Sequence, residues 1–446
     1  MTRGRRRHRR RFIRLPEGLR RGVSGGLADS ALSSLSTFLI GAHAARYLSP
    51  QALGVYGLLM SGFIVAVMVP AELVITPLEV RLVAFANESQ LASVPRSLRL
   101  GLGPAALASL TVTAVSLAFA AGADPAVSLT LAAGACVAAI LSPLQDHVRR
   151  MLHQTGRSGQ AALTAVVQLV VVVSVLGAVT ASGLEPHVAP FSALALANVV
   201  SLMVGLRFAA RAAGRAKAPS RRTGVFRLGR VTRVGGWLLW AGVADRLSNY
   251  ALVALVWLVV SKEAVGQLEA ARVLSQPMFV LATGLVVVLR PRVITAALGG
   301  ERGQARRLRR AFAGSVLAIG LGYAALAGTQ WPLNPLPRLF PVAFETSGLL
   351  ALWIVAAAAT YCLYTVPAEL VSVGRQRSVA RIATLAGLAT VAAGFVLLAA
   401  GVGVRGVPLA LLTRAAVSAL GMALVVRAVY RRASRRAARL PNAVRG

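Results

Sequence analysis

The chain of 446 residues is 56% hydrophobic and only 14% charged, with a mean hydropathy of +0.68. A soluble domain carries roughly 25% charged residues, so the composition excludes an ordinary soluble enzyme and points to a polytopic membrane protein. The charge is lopsided, 49 Lys+Arg against 14 Asp+Glu, but the arginines alternate with apolar spans, which sets nucleic acid aside as a partner.

The chain opens on MTRGRRRHRRRFIRLPEG. RRRFIR resembles a twin-arginine export signal and Ala42–Ala44 (AHA) a cleavage site. Asp29 interrupts the apolar run between them, and the expectation is a basic cytoplasmic tail over residues 1–22. Apolar runs of the ~20 residues that cross a hydrocarbon core then fall near 23–46, 52–80, 100–122, 128–148, 161–182 and 187–206. A second set lies near 237–260, 264–289, 311–328, 348–373, 382–401 and 407–427. With the N-terminus inside, the two tails and the alternate loops hold 42 of the 49 Lys+Arg. That asymmetry predicts both termini on the cytoplasmic side of the cytoplasmic membrane.

The halves repeat. SPQALG (Ser49–Gly54) aligns without gaps on SKEAVG (Ser261–Gly266), and HQTGRSGQAA (His153–Ala162) on VSVGRQRSVA (Val371–Ala380). The expected fold is all-α: about twelve transmembrane helices in two six-helix lobes, related by a pseudo-two-fold along the membrane normal, with a substrate path between them. The lobes would span 23–206 and 237–427, joined by a basic cytoplasmic linker at 207–236 and followed by a basic tail at 428–446.

Ionisable side chains inside such spans are costly and mark partners, cavities or pathways. In the first span Asp29, Ser33, Ser36 and His43 share one helical face, predicted to look toward water, with close helix packing as the plainer reading. In the second, Pro70 and Pro77 bend the helix, and Glu72, Thr76 and Glu79 share a face; Glu72 is the deeper acid, while Glu79 pairs with Arg81 at the boundary. In the seventh, Asp245 and Arg246 point about 100° apart, and Arg246, Asn249 and Tyr250 share a face. Glu269 and Arg272 are spaced to pair with each other. Arg414 has no acid at helical spacing, and Arg46 falls at the outer mouth. A literal GxGxxG, GVGVRG (Gly401–Gly406), lies in a turn between two helices with no preceding strand, so it is not a dinucleotide site. GxxxxGK[ST] does not occur, and the histidines and the two cysteines, Cys136 and Cys362, show no metal spacing. No cofactor or metal is expected.

ARYLSPQALGVYG (Ala45–Gly57) and LQDHVRRMLHQTGRSGQAA (Leu144–Ala162) resemble the first hairpin and the fourth-helix exit of the multidrug/oligosaccharidyl-lipid/polysaccharide (MOP) exporter superfamily, over roughly residues 23–430. The resemblance is closest to the polysaccharide-biosynthesis, O-antigen-flippase-like branch, whose members move lipid-linked, usually pyrophosphate-bearing glycans through a cationic cavity. It implies a non-enzymatic flippase for a lipid-linked oligosaccharide, with anionic membrane lipids and glycan polymerases or glycosyltransferases as partners. Arg246, Arg272 and Arg414 would contact the headgroup with Asn249, and Arg46 would stand at the mouth, because the guanidinium fork suits phosphate. Few aromatic cavity residues are evident. The alternative on the same fold is a cation-coupled multidrug antiporter, with Asp29 or Glu72 as coupling carboxylate and Ser33, Ser36 and Asp245 beside the path. A membrane glycosyl- or acyltransferase is disfavoured because the longest external loop, 329–347, carries only Arg338 and Glu345 as charges.

Overall fold

A computed structural model describes residues 17–220, 224–298 and 301–439, so most of the N-terminal basic tail and the last residues of the C-terminal one lie outside the described residues. Among them there is no strand. Twelve long helices follow one another: α1 (Glu17–Tyr47), α2 (Pro50–Leu82), α3 (Val94–Phe119), α4 (Pro125–Gln154), α5 (Ser158–Ser182) and α6 (Ala189–Ala213). The second set is α7 (Leu228–Val259), α8 (Lys262–Leu298), α9 (Arg302–Ala327), α10 (Leu349–Ser372), α11 (Gln376–Ala399) and α12 (Gly406–Arg439). Among the described residues ten of the twelve are long and apolar enough to cross a membrane; the other two are α1, which carries Asp29, His43 and Arg46, and α8, whose first turns carry Lys262, Glu263, Glu269 and Arg272. Those two face each other across the cavity described below, which is where polar residues find water or partners rather than lipid.

The sequence repeats are structural repeats. Ser49 caps α2 by accepting the Ala52 N–H at 3.3 Å, and Ser261 caps α8 by accepting the Ala264 N–H at 3.1 Å. Each hydroxyl satisfies one of the donors that a helix start leaves open. At the opposite end Gly156 (φ +79°) and Gly374 (φ +77°) end α4 and α10. In both turns the following arginine amide reaches back five residues, Arg157 to Leu152 O at 2.8 Å and Arg375 to Leu370 O at 2.9 Å. This is the Schellman closure that a left-handed glycine permits.

Within each half the helices pack on one another: α1 on α5, α4 on α6 and α2 on α3 in the first, α11 on α12, α7 on α11 and α9 on α10 in the second. The halves meet through α2 with α8 and α7, and through α1 with α8. At the end bearing Ser49 and Ser261, the two repeats lie against each other. A Cβ on Gly54 would overlap the Lys262 carbonyl oxygen, and one on Gly266 would overlap the Pro50 carbonyl oxygen. Deeper in, Ser116 of α3 and Tyr250 of α7 join their hydroxyls at 3.0 Å. Toward the arginine-rich end, α2 departs from the α-helix. Immediately after Pro70 it makes a π-helical turn, Ala71–Ile75, before Thr76–Leu82 completes it. The prolines predicted to bend this span thus produce a wide turn. That turn lies on α7, where Gly235 leaves no room for a Cβ against the Leu73 and Glu72 carbonyls.

Candidate functional site: a cavity between the lobes

A cavity of about 470 Å³ lies between α1 and α2 of the first lobe and α7, α8, α10 and α12 of the second. The first lobe contributes a small-polar wall, Ser33, Ser34, Thr37 and Ser61. The second contributes the charge, Asp245, Arg246, Arg272 and Arg414, with Asn249 and Gln276 beside them. Phe279, Trp353, Tyr361 and Tyr364 also line it, and the rings of Phe279, Tyr361 and Tyr364 stack edge-on with centroids 5.6 and 5.1 Å apart. The expectation of few aromatic cavity residues is therefore corrected. Phe279 comes from α8, and the other three come from α10, a helix whose inward face the sequence did not identify.

The arginines of three different helices thus reach one space, but not as free cations. Arg272 forms a fork with Glu269, Nε to Oε2 at 2.7 Å and Nη2 to Oε1 at 2.6 Å, the pairing that the three-residue spacing predicted. Arg414 donates to Asn249 Oδ1 at 2.9 Å and pairs with Asp245. Its acid lies on α7, so no helical spacing could reveal it. Arg246 Nε stands 3.6 Å from the other oxygen of Asp245, sharing a carboxylate already engaged. Three guanidiniums face two carboxylates, and Arg246 has the weakest claim on either.

Other predicted residues stand elsewhere. Arg46 crosses between lobes at the far end, donating to the Arg338 and Leu339 carbonyls at 3.1 and 2.8 Å, where it clasps the 329–347 loop instead of the cavity. Asp29 is buried inside the first lobe, with His153 Nε2 at 3.0 Å and Arg149 Nε at 3.4 Å. Ser36 is wholly buried, its hydroxyl donating to the Leu32 carbonyl at 3.0 Å, and His43 meets Thr180 of α5 at 3.2 Å. The α1 stripe therefore divides: Ser33 lines the cavity while also accepting from Arg149 at 3.0 Å, and the rest packs on α4 and α5. Cysteines placed at Ser34 and Thr37 should react readily with a small water-soluble thiol reagent. A cysteine at Ser36 should react far more slowly, and equal rates would put the cavity wall on a different face of α1.

Glu79 is not a boundary surface residue. It is 8% exposed and lies 2.9 Å from His147 Nδ1 and 3.5 Å from Arg150 Nη1, both on α4. Glu72 sits in the π-turn and does not line the cavity. Among the described residues no group of three His, Cys, Asp or Glu is placed to hold a metal.

No protein-family model and no curated protein matches this sequence. Solved structures do match in fold. An inward-facing multidrug-resistance MATE family transporter of the MOP superfamily superposes with a TM-score of 0.66 at 16% identity, over 90% of this chain and 96% of its own. A eukaryotic MATE transporter, AtDTX14, gives 0.60 at 17% identity over 92% and 96%. A MOP superfamily transporter from Pyrococcus furiosus, described as having a binding pocket of reverse polarity that suggests a different function, gives 0.60 at 15% identity over 93% and 95%. The polysaccharide branch that the sequence resembles is not represented among these three. Likeness over nine-tenths of both chains at such low identity speaks to architecture: this chain is a multi-pass membrane protein with a MATE-like transporter fold.

Proposed function

We propose that this chain is a cation-coupled exporter of the multidrug-antiporter kind, which carries amphipathic organic solutes through the cavity between its lobes. The observation that carries this reading is the cavity itself: about 470 Å³, walled by four aromatic rings and a few convergent polar groups. That is the size and chemistry of a site for a drug-sized ligand, roughly 300–1,000 Å³ and mostly apolar with placed polar groups. The MATE-like fold supports it over the lipid-linked oligosaccharide flippase. Because three arginines face two carboxylates, the favoured solutes are anionic or zwitterionic, with Arg246 as the group left to bind them. The positive-inside pattern supports an orientation with both termini in the cytoplasm, against anionic lipids.

The flippase is the second reading, and the specific feature favouring it is that same excess of guanidinium, which suits a pyrophosphate as well. Reconstituted protein separates the two. Carboxyfluorescein and ethidium, as anionic and cationic dyes, would be offered under an imposed proton or sodium gradient. Gradient-dependent movement of dye, faster for the anion, is the expected result. If neither dye moves under either gradient while a lipid-linked oligosaccharide is translocated, the antiporter gives way to the flippase.

A further inference from the structure

Away from the cavity, His147 of α4 is completely buried, and its Nε2 has no hydrogen-bond partner. Its other nitrogen meets Glu79 Oε1 at 2.9 Å. The surroundings are largely apolar: Val74, Leu78, Leu82, Val148, Met151 and Leu152 form one buried cluster from α2 and α4. An imidazole and a carboxylate in such a place are expensive to keep unless they do something. We infer that the Glu79–His147 pair is a proton-binding site whose occupancy sets the contact between α2 and α7, and so between the lobes. This rests on the antiporter reading for its purpose, since it supplies the coupling ion.

The proton balance is simple. With the imidazole neutral and its proton on Nδ1, Glu79 accepts one hydrogen bond and Nε2 is an empty acceptor. A proton arriving at Nε2 gives imidazolium beside carboxylate, a favourable ion pair. The new N–H, however, then points into a place that offers it no acceptor, and a buried charged donor left unsatisfied is costly. The protonated form therefore favours an arrangement in which α2 and α4 shift to give Nε2 a partner. The deprotonated form favours the one seen here.

The consequence reaches the lobes because of where Glu79 sits. Just before it runs the segment bounded by Pro70 and Pro77, which begins as the π-turn that holds Glu72. Prolines remove backbone hydrogen bonds, and π-turns hold one residue in excess of the α register, so this segment is the place where α2 can slip. The carbonyls of that same turn, Glu72 and Leu73, are those against which Gly235 of α7 is packed too closely for any side chain. A slip in register there has no slack and must move α7.

Charged groups stand around the pair on several packed elements. From α4 comes Arg150, 3.5 Å from Glu79 Oε2 with a side chain 41% exposed, which gives protons a way in from the arginine-rich end. Arg149 of the same helix pairs with Asp146 and with Asp29 of α1, and His153 also serves Asp29. From α2, Glu72 lies within electrostatic reach of Arg150 and Glu79, and Arg81 reaches the Val225 carbonyl at 3.5 Å. Arg96 at the start of α3 stacks on Phe226 at 4.2 Å, and Arg233 of α7 is exposed. Gln154 and Gln90 complete the rim as neutral groups, Gln154 donating to the Glu79 carbonyl at 3.2 Å. Two imidazoles have a second nitrogen that is buried and empty, His147 at Nε2 and His43 at Nδ1, but His43 lies on α1 against Thr180 of α5 and not at the contact of α2 with α7; the second nitrogen of His153 meets Ser158 at 3.1 Å.

The test uses full-length protein in nanodiscs without solute. The two native cysteines are replaced by alanine, and nitroxide labels are placed at the exposed Glu88 and Gln304, one on each half at the arginine-rich end. Pulsed electron resonance distances are measured from pH 5 to 8.5. A pH-dependent shift between two distance populations is expected in the parent. His147→Gln and Glu79→Gln should lose it, each locked in one population, and His153→Gln should keep it. Thermal melts confirm that each variant is folded, and Arg150→Ala, a milder change on the exposed side, should displace the transition along the pH axis. No pH dependence in the parent, its survival in both His147→Gln and Glu79→Gln, or its loss only in His153→Gln would each overturn the proposal. A shift that behaves as expected in a protein that moves no dye would instead count against the antiporter reading and leave the site in place.

Discussion

Gly54→Ala is expected to force α2 and α8 apart at the end where the two repeats meet, and Gly266→Ala to do the same from the other side. Each methyl would fall on a backbone carbonyl oxygen, of Lys262 and of Pro50 respectively, and backbone cannot be moved aside as a flexible side chain can. Overpacking of this kind costs about 1–3 kcal/mol, a factor of roughly 5–150 in the population of the closed arrangement. Transport by alternating access visits closure at both ends, so one methyl should depress turnover while leaving the cavity wall intact. Gln51 hydrogen-bonds Glu263 across this contact, so cysteines at those two positions report on it. A short thiol cross-linker should join them rapidly in the parent and slowly in either alanine variant, whereas Gly26→Ala, where a Cβ meets nothing within 4 Å, should have no effect. Undiminished cross-linking in Gly54→Ala would mean that the two helices part at this point for most of the cycle.

The same glycines show what a sequence makes legible. SPQALG and SKEAVG align because each must start a helix with a serine cap and then bring a glycine to a crossing. Both demands are local and survive as letters in the chain. The left-handed turns at Gly156 and Gly374 are legible for the same reason. The length and apolarity of the spans gave the helix count, and the three-residue spacing of Glu269 and Arg272 gave their pair. What was not legible depends on which helices meet. Arg414 looked unaccompanied because Asp245 comes from α7. Asp29 looked directed at water because the faces of α1 that α4 and α5 would cover have no mark of their own. Glu79 looked like a boundary residue because its partner, His147, lies two helices further on. The aromatic wall of the cavity was missed because Trp353, Tyr361 and Tyr364 lie in spans apolar enough to read as lipid-facing all round.

Arg272→Ala and Arg246→Ala should fail in different ways, although both arginines line the same cavity. Removing Arg272 leaves Glu269, 3% exposed, as a buried carboxylate without its fork. Breaking a buried pair from one side costs about 3–5 kcal/mol, so this variant should melt well below the parent in detergent. The double change Glu269→Leu with Arg272→Met should recover much of the loss, since a buried pair replaced by apolar groups of similar volume is often neutral. Arg246 is different: its side chain is 35% exposed and its contact with Asp245 is 3.6 Å, so its removal should cost stability no more than the ~1 kcal/mol of an exposed pair. Its loss should appear in binding instead. A charged hydrogen bond to an anionic solute is worth about 1.5–3 kcal/mol, so Kd for carboxyfluorescein should rise roughly 10- to 150-fold. Arg246→Lys should restore only part, because the ammonium keeps the charge and loses the planar fork. Asp245→Asn should move Kd the other way, since it releases Arg246 and Arg414 from the carboxylate they share. Unchanged affinity in both Arg246→Ala and Asp245→Asn, with Arg272→Ala melting like the parent, would show that the cavity's charge neither holds the fold together nor selects the solute.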